Sequence, residues 1–264
     1  MISSVDPRVV RRLILEQSYR ARVGHIGSAL SIADIIAVLY GGVLRGVGGG
    51  DPHRDLFVLS KGHAALALYA ALRLRGVIDQ ADLDTYCGDG SLLAVHPEFG
   101  LRGVDFSTGS LGLGLSLAAG AAYGAKLIQS PSRTYVLMSD AELNEGEVWE
   151  AAMFAAHHKL GNLIAIVDLN GQQALGQTKD VIDLAPLGTR WEAFGWRVIE
   201  VDGHDVAALA AALRDAAAAN SKPSVVIART VSGRGVSFME GRVEWHYLPM
   251  DEEKFRHAIA EVIR

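Results

Sequence analysis

Two short apolar runs with one helical stretch between them constrain this chain more than any other feature. Residues 135–138, Tyr-Val-Leu-Met, and residues 163–167, Leu-Ile-Ala-Ile-Val, are unbroken apolar segments of strand length, and the pattern between them is helical. Two strands joined by one crossover helix run parallel, so both deliver their carboxyl ends to the same edge of a sheet. With neighbouring strands about 4.8 Å apart, Asp140 past the first and Asn170 past the second address one volume. Two oxygen donors there suit a hard divalent cation such as Mg²⁺, which keeps some water and takes further oxygens from a phosphorylated ligand. Backbone N–H groups of a helix expected from about Leu143 add partial positive charge for that ligand. The expectation is a metal and diphosphate site at the carboxyl edge of a parallel sheet, where open α/β sheets bind ligands. Pattern alone allows a plainer reading, in which Asp140 caps the helix and Asn170-Gly171 makes a turn.

Length and composition bound the rest. A chain of 264 residues, 50% of them apolar and spread along its whole length, can bury one large α/β core and is not a disordered chain. The net charge of −5 comes without a basic block, which argues against nucleic acid or an anionic membrane surface as partner. Cys87 is the single cysteine, so neither an internal disulfide nor a zinc site built on thiolates is expected, and a reducing compartment, the cytoplasm, fits. The first seven residues lack the basic and apolar regions of a signal peptide. Residues 111–128 come nearest to a membrane span, but four glycines before Lys126 point to a buried core helix.

In chain order, Asp6 and Pro7 open a helix that stops by Gly24. Residues 24–28 are expected as a glycine-rich loop, with a helix over 31–40. A strand over 56–59 ends in Ser60-Lys61-Gly62-His63, followed by helices over 64–74 and 79–86. Residues 88–105, which hold His96-Pro97-Glu98, lack periodicity, and so long an irregular connection is often functional. Further strands are expected over 197–201 and 224–228, and helices ending at Phe194 and spanning 206–219 and 251–263. The alternation predicts an α/β fold, a single domain over 1–264 with a doubly wound parallel sheet flanked by helices.

Several of these segments occur together in one order. Gly24-His25-x-Gly27, Lys61-Gly62-His63-Ala64, His96-Pro97-Glu98, Thr108-Gly109-x-Leu111-Gly112, the unit from Asp140 to Asn170 and Glu244-Trp245-His246 resemble the N-terminal, diphosphate-binding half of the transketolase family. The family's motif opens Gly-Asp-Gly, where this chain has Ser139-Asp140-Ala141, both replacements small. The resemblance implies thiamine diphosphate held through Mg²⁺ (or Ca²⁺), with Asp140, Asn170 and the backbone carbonyl of Gln172 on the metal. It implies His63, Gly109, Leu111, Ser139, Ala141, Glu142, Asn170 and His246 around the cofactor, Leu111 packing on the thiazolium ring. It also implies His25, His96 and His246 along the channel of a sugar or sugar phosphate substrate, and Glu145 and Glu150 at a subunit interface. His53, His157, His158, His204 and His257 match no motif.

By the same resemblance, the pyrimidine-binding domain, with the carboxylate that activates the aminopyrimidine ring and most of the basic residues that hold sugar phosphate, would follow beyond Arg264. The expectation is the N-terminal subunit of a split transketolase, inactive alone, that joins a C-terminal transketolase subunit, two of each chain in a heterotetramer. Alternatives are two-carbon transfer to a carrier thiol or unusual sugar, and a non-catalytic subunit that has lost the cofactor. A nicotinamide dehydrogenase would need a strand before Gly112-Leu113-Gly114 and a glycine where Leu117 stands.

Overall fold

The computed structural model describes residues 5–218 and 221–263. In chain order the strands are β1 (Leu56–Leu59), β2 (Thr134–Ser139), β3 (Leu163–Leu169), β4 (Gln172–Gln173), β5 (Gly176–Gln177), β6 (Arg197–Asp202) and β7 (Ser224–Arg229). Five of them form an all-parallel sheet in the order β1-β2-β3-β7-β6, and β4 and β5 make a small antiparallel hairpin.

Why the central strands read as unbroken apolar runs is visible in the two cores. Phe57, Leu59, Tyr135, Leu137, Ile164 and Ile166 face one core, shared with helices Pro7–Ala21, Ile26–Ser31, Ala33–Val38, Ala65–Leu74, Val206–Ala218 and Glu252–Val262. Their sequence neighbours Val58, Val136, Met138, Ala165 and Val167 face a second core, covered by helices Leu113–Leu127, Gly146–His157 and Leu187–Ala193. A strand covered on both sides has no wet face, so alternation disappears from its sequence.

The winding of the sheet places the site. The connection leaving β1 goes to the first core, and the one leaving β2 goes to the second. The two connections therefore diverge to opposite faces of the sheet while the strand ends stay paired, and ligands of such sheets bind beside strand ends whose connections part in this way.

Most expected elements are present, and the differences have local causes. The loop expected over 24–28 is limited to Gly24 and His25: Ile26–Ser31 is a buried helix with His25 as its N-cap. A Cβ on Gly27 would lie 2.8 Å from Ser232 Oγ, so this glycine marks a close contact instead of a loop. The helix expected from Leu143 begins at Gly146, after a 3₁₀ turn over Ala141–Asn144. The Leu113–Leu127 helix is not buried all round, since Leu113, Gly120 and Leu127 are exposed, and no described helix is long and apolar enough to cross a membrane. The helix expected over 79–86 is limited to Gln80–Leu83. That expected over 206–219 is described to Ala218; Ala219, like Met1–Ser4 of the amino terminus, lies outside the described residues. No strand precedes the Leu113–Leu127 helix among the described residues after β1, which removes the dinucleotide reading.

Candidate active site

The pairing of β2 with β3 brings the two halves of the predicted metal site together. Ser139 stands opposite Asp168, and Asp140 N–H donates to the Asp168 carbonyl at 3.2 Å. Asp140 Oδ2 then accepts from Gly171 N at 2.9 Å and from Thr178 Oγ1 at 3.0 Å, so the loops after the two strands meet at this carboxylate. Ala141 N donates to its Oδ1 at 3.0 Å. Burial first, and the nearby Asp168 charge second, push the Asp140 carboxyl up to about 6. No lysine or arginine pairs with Asp140 among the described residues. Asn170 donates from Nδ2 to Asp168 Oδ2 at 2.8 Å, while its Oδ1 accepts from Gln172 N at 2.9 Å.

Beside this pair lies a cavity of about 320 Å³. His25, His63, His96 and His246 line it together with Gly109, Leu111, Ser139 and Ala141; Asn170, Gln172 and Glu145 complete the predicted residues found there. The rings of His25, His63 and His246 stand within 5.2–5.4 Å of one another, centroid to centroid. Burial lowers all three: His25 with help from His96, His63 well below its usual range with help from Lys61, and His246 to about 4 with help from His25. All three are therefore neutral imidazoles at pH 7, able to donate one hydrogen bond and accept another. His63 Nε2 is 2.8 Å from Ser28 Oγ. His25 holds a left-handed backbone (φ 59°), and its buried Nδ1 has no partner. Such strain and such an orphaned polar atom persist where the surroundings hold a side chain ready for a ligand.

Three predicted residues sit elsewhere. Asp140 lines, with Asn170, a neighbouring cavity of about 640 Å³ bounded by Thr178, Leu187 and Arg229. Glu142 does not line the site cavity. It is fully buried, accepting from Ser60 Oγ, from Gly112 N at 2.8 Å and from Ser139 N at 3.3 Å, and burial raises its carboxyl. It ties the ends of β1 and β2 to the start of the Leu113–Leu127 helix. Glu150 is exposed in a separate surface depression with Gly120 and Phe154.

Sequence reasoning missed Ser28, Asn144, Gln173 and Ser232, which line the cavity, and Lys61 and Asp168, which form a buried ion pair beneath it. A signal existed for the last two. Asp168 ends an apolar run and Lys61 follows another, and a charge so placed must find a partner. Ser28 and Ser232 carried none, because they meet through the long-range packing of Gly27 against Ser232 and the hydrogen bond from Gly233 N to the Gly27 carbonyl at 2.9 Å.

The residues present fit a divalent cation and a diphosphate: a buried carboxylate with no basic partner among the described residues, a carboxamide lining the same cavity as that carboxylate, neutral imidazoles and an orphaned ring nitrogen. Fold and site together define a cofactor-binding domain of the doubly wound α/β class. The chain matches the family model "Transketolase, thiamine diphosphate binding domain" over residues 5–261 and belongs to the transketolase family. It is 40% identical over 96% of its length to the 6-deoxy-6-sulfo-D-fructose transketolase subunit of Clostridium sp., covering 94% of that chain. It is likewise 40% identical over 96% of its length to an apulose-4-phosphate transketolase subunit of Phocaeicola vulgatus, covering 90% of it. Transketolase from Campylobacter jejuni superposes with a TM-score of 0.92 at 32% identity; the match covers 98% of this chain and 42% of that one.

Proposed function

We propose that this chain is the cofactor-binding subunit of a two-chain transketolase, a transferase that moves a two-carbon ketol unit from a ketose to an aldose and needs a second, pyrimidine-binding chain. The observation that carries the reading is the convergence of three neutral histidines on the same cavity as Asn170, Gln172, Ser139 and Ala141 at the carboxyl edge of the sheet. Asp140, Asn170 and the Gln172 carbonyl hold the metal, which we take to be Mg²⁺. His63 and His246, with the backbone of Gly109, Ser139 and Ala141, hold the diphosphate, and Leu111 supports the thiazolium ring. Bound thiamine diphosphate supplies the carbanion that cleaves the bond next to a ketone. The chain's own share is positioning, and proton transfer to and from sugar hydroxyls by His25, His96 and His246.

Two observations support dependence on a partner. Among the described residues no lysine or arginine lines the cavity, so this surface has no fixed positive charge for a sugar's anionic group. Three of the relatives that match nearly end to end are named as subunits, and those names carry a sulfo group in one case and a phosphate in the other two. The donor here is accordingly a ketose with an anionic terminus, its anion held by the partner. Glu145 and Glu150 belong to an interface that assembles two of each chain, in the reducing cytoplasm that a lone exposed Cys87 fits. The decisive assay gives thiamine diphosphate, Mg²⁺ and a ketose phosphate to the purified chain with and without the polypeptide that co-purifies with it. Turnover is expected only with both, and is lost in Asp140→Ala; turnover by the single chain would overturn the two-chain reading.

A further inference from the structure

The carboxylate of Asp168 gathers four side-chain donors. It is fully buried near the end of β3, two residues before Asn170. Its Oδ2 receives Lys61 Nζ at 2.5 Å, Ser31 Oγ at 2.7 Å and Asn170 Nδ2 at 2.8 Å, and its Oδ1 receives Thr230 Oγ1. The Lys61 side chain is also fully buried, and its ammonium reaches the Ser28 carbonyl at 3.2 Å. Four segments therefore meet at one carboxylate: the helix carrying Ser28 and Ser31, the end of β1, the end of β3 and the end of β7.

A carboxylate can only accept hydrogen bonds, and a carboxamide has one donating and one accepting end. Asp168 therefore fixes which way round Asn170 sits. Its NH₂ must point inward to Asp168, and its carbonyl oxygen is left on the outer side, where Gln172 N–H approaches it. A flipped Asn170 would face oxygen to oxygen with Asp168 and would offer an NH₂ to a cation. Lys61 in turn balances the Asp168 charge, so that the carboxylate is tolerated in the core and the ammonium is withheld from the cavity.

We propose that Asp168, held by Lys61, is the positioning residue of the cation site: it sets the carboxamide of Asn170 so that Oδ1 faces the metal. The inference rests on the reading of Asp140 and Asn170 as metal ligands. Groups that orient a metal's ligands are commonly worth 10–100-fold in metal affinity, although they never touch the ion. Replacing Asp168 by asparagine keeps the shape and adds a donating end, so either orientation of Asn170 then finds a partner.

The test titrates Mn²⁺ by calorimetry, with thiamine diphosphate present, into the full chain in the complex in which it purifies. Wild type is expected to bind and Asn170→Ala to lose binding; failure of wild type to bind sinks the metal reading and this inference with it. Asp168→Asn is expected to bind about 10–100-fold more weakly. Wild-type affinity in Asp168→Asn, with Asn170→Ala still devoid of binding, overturns the inference alone. An unpaired Lys61 could prevent that variant from folding, so Lys61→Met with Asp168→Asn is measured beside it and is expected to show the same loss at a native circular dichroism spectrum. Rescue separates positioning from mere stability. Asn170→Asp sets two carboxylates against each other and weakens binding, while Asp168→Asn added to it restores a donor opposite an acceptor and recovers at least about tenfold; absence of recovery counts against the proposal.

Discussion

At the scale of single residues, the carboxyl edge concentrates groups that burial holds away from their ordinary charge states. Asp140 is buried, has no basic partner among the described residues, and its carboxyl is raised from 3.8 to about 6. The folded chain therefore keeps a proton there that the unfolded chain has already released, and stability falls as pH rises from 3.8 to about 6. A cation at Asp140 removes that penalty, and must displace the proton at lower pH. Mg²⁺ is thus expected to raise the melting temperature more at pH 7.5 than at pH 5, with affinity about tenfold weaker at the lower value. Scanning calorimetry at the two pH values checks this, and equal shifts would rule out Asp140 as the ligand. His246, lowered to about 4, has the opposite sign: it favours the folded state above its ordinary 6.5, and that contribution is lost as pH falls towards 4.

Among the elements, the contact between the Leu113–Leu127 helix and the end of β1 sets how closely the second layer approaches the sheet. A Cβ on Gly114 would lie 2.1 Å from Ser60 Oγ and 2.8 Å from Ser60 Cα, and Ser60 Oγ itself donates to Glu142. Gly114→Ala must push the helix outward or break that bond, with an expected loss of about 1–3 kcal/mol in urea denaturation. Gly120, on the outer side of the same helix, has nothing within 4 Å of an added Cβ. Gly120→Ala is expected to stabilise by about 0.5–1 kcal/mol through helix propensity, and equal effects at the two sites would refute the packing argument. The elements themselves were largely legible: β1 agrees with its apolar run, and β2, β3, β6 and β7 extend theirs by one or two residues. The helix over Ile26–Ser31 was not, because its glycine answers to Ser232, a neighbour more than two hundred residues away.

For the whole molecule, the side of the second layer that carries Glu150 is apolar and open. Leu113, Leu127, Met153 and Phe154 are large hydrophobic side chains between 39% and 66% exposed, which suits the interface proposed for Glu150. Light scattering of the purified complex is expected to give the mass of two of each chain, and Phe154→Glu is expected to halve it; an unchanged mass in the variant would place the interface elsewhere. Taken by itself, the sequence determined the parallel sheet and the strand-end positions of Asp140 and Asn170, because periodicity and chain connectivity are local properties. Only the tertiary structure decided that His25, His63 and His246 share one cavity, that Glu142 lies beneath it, and that Lys61 and Asp168 pair in the core. Those relations join residues far apart in the chain, and they exist only once two apolar faces have closed over the sheet.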